Sequence, residues 1–162
     1  QFRKMGISEN SKKTSVIEII DSKTDYNILR KNLSHYLLKI LSENIDVEYP
    51  QKIFEMGKVF EIKNDKINEK EELAVAISPG NFTEIKQILE YLSKMLDSKI
   101  EIRESEDFPQ YFIEGRVAKI KIGDKEIGFI GEIHPKILKN WRIKMPVALL
   151  EIDLEEIFEK IV

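Results

Sequence analysis

The stretch Gly115–Leu138, GRVAKIKIGDKEIGFIGEIHPKIL, decides the fold. Val117–Ile122 alternates apolar residues with Lys, the period of two that marks a strand with one buried face. Gly123-Asp124 then supplies a two-residue loop, because Gly takes the positive φ of a type II′ turn at no steric cost. Glu126–Ile133 is the return strand, and strands joined by so short a loop run antiparallel. Pro135 carries the fixed φ preferred in the first helical turn, so a short helix PKILKNW follows. Gly128 and Gly131 fall inside the return strand, where a missing side chain weakens the ladder. That pattern predicts close backbone packing against a neighbouring helix.

Working outward toward the C-terminus, Val147–Ile152 (VALLEI) is almost entirely apolar and reads as a central strand. Asp153 and Glu156 have capping spacing and open a last helix. Toward the N-terminus, Lys99–Arg103 is a strand, followed by an aromatic loop 104–115. Asn81 and Glu84 form a capping-box pair ahead of an apolar stripe, Phe82, Ile85, Ile88, Leu89, Leu92, Met95 and Leu96. Lys52–Lys63 and Leu73–Ser78 form an antiparallel pair across a charged turn, NDKINEKEE. Gly57, mid-strand, marks a bulge or a close backbone approach. Leu29–Asn44 is an amphipathic helix, with Leu33, Leu37, Ile40 and Leu41 on one face, and Tyr49-Pro50 prevents its continuation. Ser15–Ile20 is a short strand before the polar turn DSKTDYN. The fold class is α+β: an antiparallel sheet flanked by helices, with no βαβ alternation. The helices near 30–44 and 82–97 are expected on one face of it.

Composition narrows the function. With 42% hydrophobic and 34% charged residues in 162, the chain is a soluble globular type, not a disordered one. No apolar run approaches the roughly 20 residues of a membrane span. A net charge of −3 argues against a dedicated nucleic-acid grip, though local basic patches are compatible with it. The absence of Cys removes disulfides, thiolate metal sites and a Cys nucleophile. The polar start without Met reads as a piece of a longer protein.

Four stretches, in order, carry a family resemblance. DYNILRKNLSHYLLKILSEN (25–44), KIFEMGKVF (52–60), the hairpin and helix 115–138, and PVALLEIDLEEI (146–157) together resemble the beta subunit of phenylalanyl-tRNA synthetase in its archaeal and eukaryotic form. The match departs where the family's LRTSL is LRKNL, with Lys31 and Asn32. It departs again at His35-Tyr36, where the family's Pro is absent. The resemblance implies a class II aminoacyl-tRNA synthetase-like but inactive domain over 25–162, preceded by an opening segment and first strand at 1–24. It implies a catalytic alpha subunit as partner in a heterotetramer, tRNA contacted by the assembly, and a cytoplasmic location. ATP and magnesium would serve the whole complex, with magnesium carboxylates upstream of this chain and no cofactor within it.

The resemblance also sets two tests of chemistry. A working class II site holds ATP with two Arg residues, whose planar forks pair phosphate oxygens. Glu61 stands where the first would be. The second belongs at a helix start after a Gly-rich strand, and GFIGEIHP leads into His134-Pro135-Lys136 with no Arg; Arg142 lies beyond that helix. No catalytic, cofactor or metal residue is therefore assigned. His134 reads as a helix cap, Glu132 and Arg116 as an ion pair across the hairpin, and Glu104, Glu106 and Asp107 as a solvated loop. Lys39 and Glu43 suit an exposed i,i+4 pair. Phe108, Tyr111 and Phe112 are candidate interface residues, with packing in the chain's own core the competing reading. The function expected is a non-catalytic domain supporting assembly; the alternative is a free-standing regulatory or binding module of class II descent. An independent small enzyme is disfavoured by the lack of Cys and by the isolation of His35 and His134.

Overall fold

The computed structural model describes residues 17–18, 28–64 and 66–159. Of the expected strand Ser15–Ile20, only Ile17 and Glu18 fall in that set, with Glu18 bridging Ile28; the 24/25 boundary lies outside it. Among the described residues six strands make one antiparallel sheet. They are β1 (Gln51–Lys63), β2 (Lys66–Ser78), β3 (Ile100–Arg103), β4 (Phe112–Ile122), β5 (Lys125–Ile133) and β6 (Ala148–Asp153), in the spatial order β1-β2-β6-β5-β4-β3. The helices are α1 (Ser34–Glu43), α2 (Phe82–Met95), α3 (Pro135–Asn140) and α4 (Glu155–Phe158).

The Gly123-Asp124 loop closes β4 onto β5 with Ile122 opposite Lys125. Gly123 has φ 59, and Asp124 has no positive φ, as a II′ turn requires. Asn81 and Glu84 form the expected capping box: Glu84 N donates to Asn81 Oδ1 at 3.0 Å and Asn81 N to Glu84 Oε2 at 3.2 Å. Asp153 Oδ1 likewise accepts from Glu155 N at 3.0 Å and caps α4.

Three expectations are corrected. The segment 64–72 is not an extended charged turn, because β2 begins at Lys66 and pairs with β1 from Lys63↔Lys66 onward. Its charges alternate along an exposed two-stranded ribbon tied by Lys58–Glu69 and Glu61–Lys70 pairs. The first helix starts at Ser34, not near 30, because the backbone before it is committed to sheet-like bonds. Leu29 N donates to Ile17 O at 2.9 Å, and Phe60 N donates to Arg30 O at 2.8 Å.

The third correction concerns the faces. α1 and α2 lie on opposite sides of the sheet. Leu33, Leu37, Leu38 and Leu41 pack with Ala74, Ala76, Leu149, Ile137, Leu138 and Trp141 in one core. Ile85 and Leu89 pack with Leu73, Ile77, Ile130, Leu150, Ile152 and Ile157 in another. Successive strand residues point to opposite faces, so β2 and β6 feed both cores in alternation. Every residue of β6 is buried for this reason.

Candidate functional site

The α1 side of the sheet carries Glu61, because Glu61 and Val59 are two residues apart on β1 and Val59 belongs to the α1-side core. Register lays the floor out in rows. Glu55 lies opposite Ala74, which lies opposite Glu151, which lies opposite Phe129. In the next row Gly57 faces Glu72 and Glu72 faces Asp153. Beyond these come Val59 with Lys70, and Glu61 with Asn68.

Arg30 reaches over this floor from the strand-like segment before α1. Its Nη1 donates to Glu55, its Nε donates to the Lys58 carbonyl at 2.7 Å, and its guanidinium stands 5.6 Å from the Tyr36 ring centroid. A Cβ at Gly57 would overlap Arg30 Nη2. Gly57 is thus the close approach expected of it, and no bulge, since the β1–β2 register runs through it unbroken.

The centre of the floor is acidic and buried. Glu151 accepts from Leu33 N and Ser34 Oγ, so a residue of β6 caps α1, whose own N-cap Leu33 has no side chain suited to the task. Burial, the neighbouring Glu151 charge, a hydrogen bond to Glu151 and the Asp153 charge push the Glu72 carboxyl up to about 9, only partly offset by Lys70. Among the described residues its Oε2 has no hydrogen-bond partner. Burial, with the Glu151 charge, also raises the Tyr111 phenol. Beside them, burial lowers the His35 imidazole to about 4, helped by the Arg30 and Lys39 charges. Its Nδ1 lies 2.8 Å from Asn32 Oδ1, an acceptor, so Nδ1 carries the proton and the buried Nε2 is bare.

These residues do not fit a nucleoside triphosphate. Glu61 accepts from Asn68 Nδ2 at 3.1 Å and pairs with Lys70 at 3.3 Å, and Lys70 also reaches Asp153 at 3.7 Å. Burial by itself would raise the Glu61 carboxyl, yet the hydrogen bonds from Asn68 and Lys70 and the Lys70 charge hold it below the usual carboxylate range. The sequence resemblance places the second Arg after β5. The topology moves that position, because β6, not β5, adjoins the β1–β2 hairpin. The helix that follows the strand adjoining the hairpin is therefore α4, whose first turn holds Glu155 and Glu156. Neither junction offers a guanidinium: Glu155 lies on the α2 side beside Met56, Leu73 and Leu92, and Glu156 pairs with Lys125. Among the described residues no group of three His, Asp or Glu side chains is placed to hold a metal ion.

The remaining residues singled out by sequence are placed as follows. His134 caps α3, its Nδ1 accepting from Lys136 N at 3.1 Å. Arg116 Nη1 donates to Glu132 Oε2 at 2.7 Å, and Glu132 Oε1 accepts from Phe82 N at 2.9 Å, so this ion pair also ties the hairpin to the start of α2. Lys39 and Glu43 are 3.8 Å apart on α1. Asp107 is fully exposed. Tyr111 and Phe112 are members of the α1-side core and Phe108 packs partly against it. Gly128 and Gly131 do admit close backbone approach, but by strands, not by a helix. A Cβ at 128 would overlap the Glu151 carbonyl of β6, and one at 131 would meet Arg116 O and Phe112 Cδ1 of β4 at 2.8 Å. Arg30, Glu72 and Glu151 were missed by sequence reasoning; the pairing of Gly57 with a distant Arg left no local pattern.

The family model described as phenylalanyl tRNA synthetase beta chain CLM domain matches residues 1–154. A phenylalanine–tRNA ligase beta subunit of Pyrococcus abyssi is 40% identical over 165 residues, covering 98% of this chain and 29% of that protein. The corresponding protein of Thermococcus onnurineus is 43% identical over 140 residues, covering 83% and 24%. That of Archaeoglobus fulgidus is 39% identical over 138 residues, covering 84% and 24%. The chain thus spans less than a third of the length of these relatives. A pyrrolysyl-tRNA synthetase structure from Desulfitobacterium hafniense superposes with a TM-score of 0.75 at 17% identity, over 98% of this chain and 58% of that one. That likeness shows a shared class II synthetase-like fold, and at this identity the fold alone.

Proposed function

Because this chain belongs to the phenylalanyl tRNA synthetase beta chain CLM-domain family, we propose that it is a non-catalytic structural domain of a phenylalanine–tRNA ligase. In this reading it docks the alpha subunit, which carries the chemistry, within a cytoplasmic heterotetramer that uses ATP and magnesium to charge tRNA. One observation supports the non-catalytic part: the Glu61 carboxylate, at the position the family resemblance assigns to a phosphate-binding Arg, is held by Lys70 and Asn68. Rate in adenylate formation comes mainly from positioned positive groups and metal ions. Here the corresponding floor is built of Glu72, Glu151 and Asp153 and closed by α1.

The arrangement serves rigidity instead. Glu151 ties α1 to the central strand and Glu132 ties α2 to the β4–β5 hairpin, so both layers of helix are fixed to one sheet. Such a plate suits a docking role. The test is co-expression with the alpha subunit encoded in the same genome, followed by affinity purification through a tag on this chain. A stoichiometric complex is the expected outcome. Recovery of this chain alone, with the alpha subunit soluble and separate, would favour the free-standing module instead.

A further inference from the structure

We propose that the surface formed by α3 and the segment that follows it binds the phosphodiester backbone of an RNA. The proposal builds on the ligase reading, within which that RNA is the tRNA. The chain is acidic overall, with Asp+Glu 29 against Lys+Arg 26. Between Glu132 and Glu151, however, no acidic residue occurs, and Lys136, Lys139, Arg142 and Lys144 all lie in that run. All four are exposed. Among the described residues none of them forms an ion pair, whereas many other cations of the chain are matched to carboxylates. A local field of one sign on a counter-charged protein is a focused attraction for an anionic polymer.

Geometry gives this patch a shape. Lys139, Arg142 and Lys144 rim one hollow of about 350 Å³ floored by Pro135, Leu138 and Ile143. Its apolar floor belongs to the α1-side core through Leu138 and Ile143, so the rim stands on rigid ground.

Arg142 supplies the second observation. α3 ends in a Schellman motif: Ile143 N donates to Leu138 O at 2.9 Å and Arg142 N to Lys139 O at 3.1 Å. The residue at the left-handed position of that motif is usually Gly, yet Arg142 holds it with φ 59. For a residue with a Cβ that conformation is unfavourable. The fold alone would be served better by Gly, so the guanidinium is held in place against local backbone preference. A planar fork flanked by two ammonium groups over a shallow hollow fits a phosphate diester, with Arg142 paired to its oxygens and Lys139 and Lys144 at neighbouring phosphates.

The experiment measures binding of the full chain to unfractionated tRNA by fluorescence anisotropy across a salt series starting near 50 mM. It is repeated with Arg142→Gly and with the triple variant Lys139→Gln, Arg142→Gly, Lys144→Gln. Binding with a negative salt slope is expected. The triple variant should bind about tenfold or more weaker at 0.1 M salt, with a slope flatter by about 2, roughly 0.7–0.9 for each phosphate no longer neutralised. Arg142→Gly alone should weaken binding while leaving the melting temperature unchanged or higher, an outcome that misfolding does not mimic. A control, Lys52→Gln, Lys86→Gln, Lys94→Gln, removes equal charge elsewhere. The proposal is overturned if the control loses as much affinity as the triple variant, if wild type does not bind tRNA, or if phosphatidylserine vesicles compete it off the RNA. Loss of alpha-subunit co-purification without change in these curves would instead defeat the assembly reading and leave the RNA site standing.

Discussion

Arg30 lies across Gly57: its guanidinium fills the space a Cβ at 57 would need, and it is held there by Glu55 and the Lys58 carbonyl. The pair joins the segment before α1 to the edge strand β1, twenty-seven positions later in the chain. Gly57→Ala is expected to evict the guanidinium. Loss of charged hydrogen bonds costs about 1.5–3 kcal/mol, set against a gain of about 0.5–1 kcal/mol from restricting a strand Gly. Net destabilisation of about 1 kcal/mol should result, read by urea unfolding. In an Arg30→Ala background the same Gly57→Ala change should become neutral or stabilising. If it costs as much without Arg30 as with it, the two residues are not coupled.

Glu72 and His35 give the fold opposing responses to pH. The Glu72 carboxyl rises from 4.5 to about 9, so the folded state keeps a proton that the unfolded chain releases. Its stabilising contribution is complete below pH 4.5 and declines as pH rises toward 9. The His35 imidazole falls from 6.5 to about 4, so its contribution is complete above pH 6.5 and is lost as pH drops toward 4. Glu72→Gln replaces the protonated acid with a neutral isostere. It should stabilise the chain at pH 8 by about 1–3 kcal/mol and have little effect near pH 5. Melting curves at the two pH values check this, and equal effects at both would refute it.

Gly128 and Gly115 separate backbone clash from backbone conformation. At Gly115, φ is 75 and no atom lies within 4 Å of an added Cβ. Gly115→Ala should therefore cost only about 1 kcal/mol of left-handed strain. At Gly128 an added Cβ would overlap the Glu151 carbonyl in β6, the partner strand, which is backbone and cannot swing aside. Gly128→Ala should cost more than about 3 kcal/mol by forcing the β5–β6 ladder apart. Chemical denaturation of both variants gives the comparison; a Gly128→Ala chain no less stable than Gly115→Ala would contradict the packing.

Several elements were legible because their signals are local. Asn81 and Glu84 are three residues apart, and Gly123-Asp124 is its own turn. The apolar run Val147–Ile152 announced a central strand, and its lack of alternation also implied cover on both faces, against the one-face arrangement drawn from the helical stripes. Lys66–Glu69 was illegible as strand because that end of the β1–β2 ribbon is largely exposed, so no hydrophobic period is imposed there. The polar floor was illegible for another reason. Glu151 caps α1 from 118 residues away, and Glu72 acquires its character from burial and then from Glu151 and Asp153 on the neighbouring strand. Only the register of β2 against β6 brings the three together. The position of Glu61 was readable from the family resemblance, but its lock on Lys70 and Asn68 came only with the ribbon.

Restoring the missing guanidinium should not restore catalysis. In Glu61→Arg the new side chain loses the Asn68 and Lys70 contacts and faces Lys70 as a like charge. That rearrangement frees Lys70 toward Asp153, 3.7 Å away, and leaves the Glu72–Glu151–Asp153 floor beneath it unchanged. A phosphate above that floor would still meet carboxylates. The start of α4, which follows the strand beside the hairpin, would still lack a second Arg, since its first turn holds Glu155 and Glu156. Loss of one such donor typically lowers rate by about 10²–10³, and here one would remain absent while the local charge stays negative. Pyrophosphate exchange with phenylalanine and ATP should therefore stay at background for wild type and for Glu61→Arg. The alpha subunit assayed alongside serves as positive control. Exchange by this chain alone that disappears on mutating Arg116 or His134 would reverse the non-catalytic reading, because both residues would then touch reacting groups instead of holding Glu132 and capping α3.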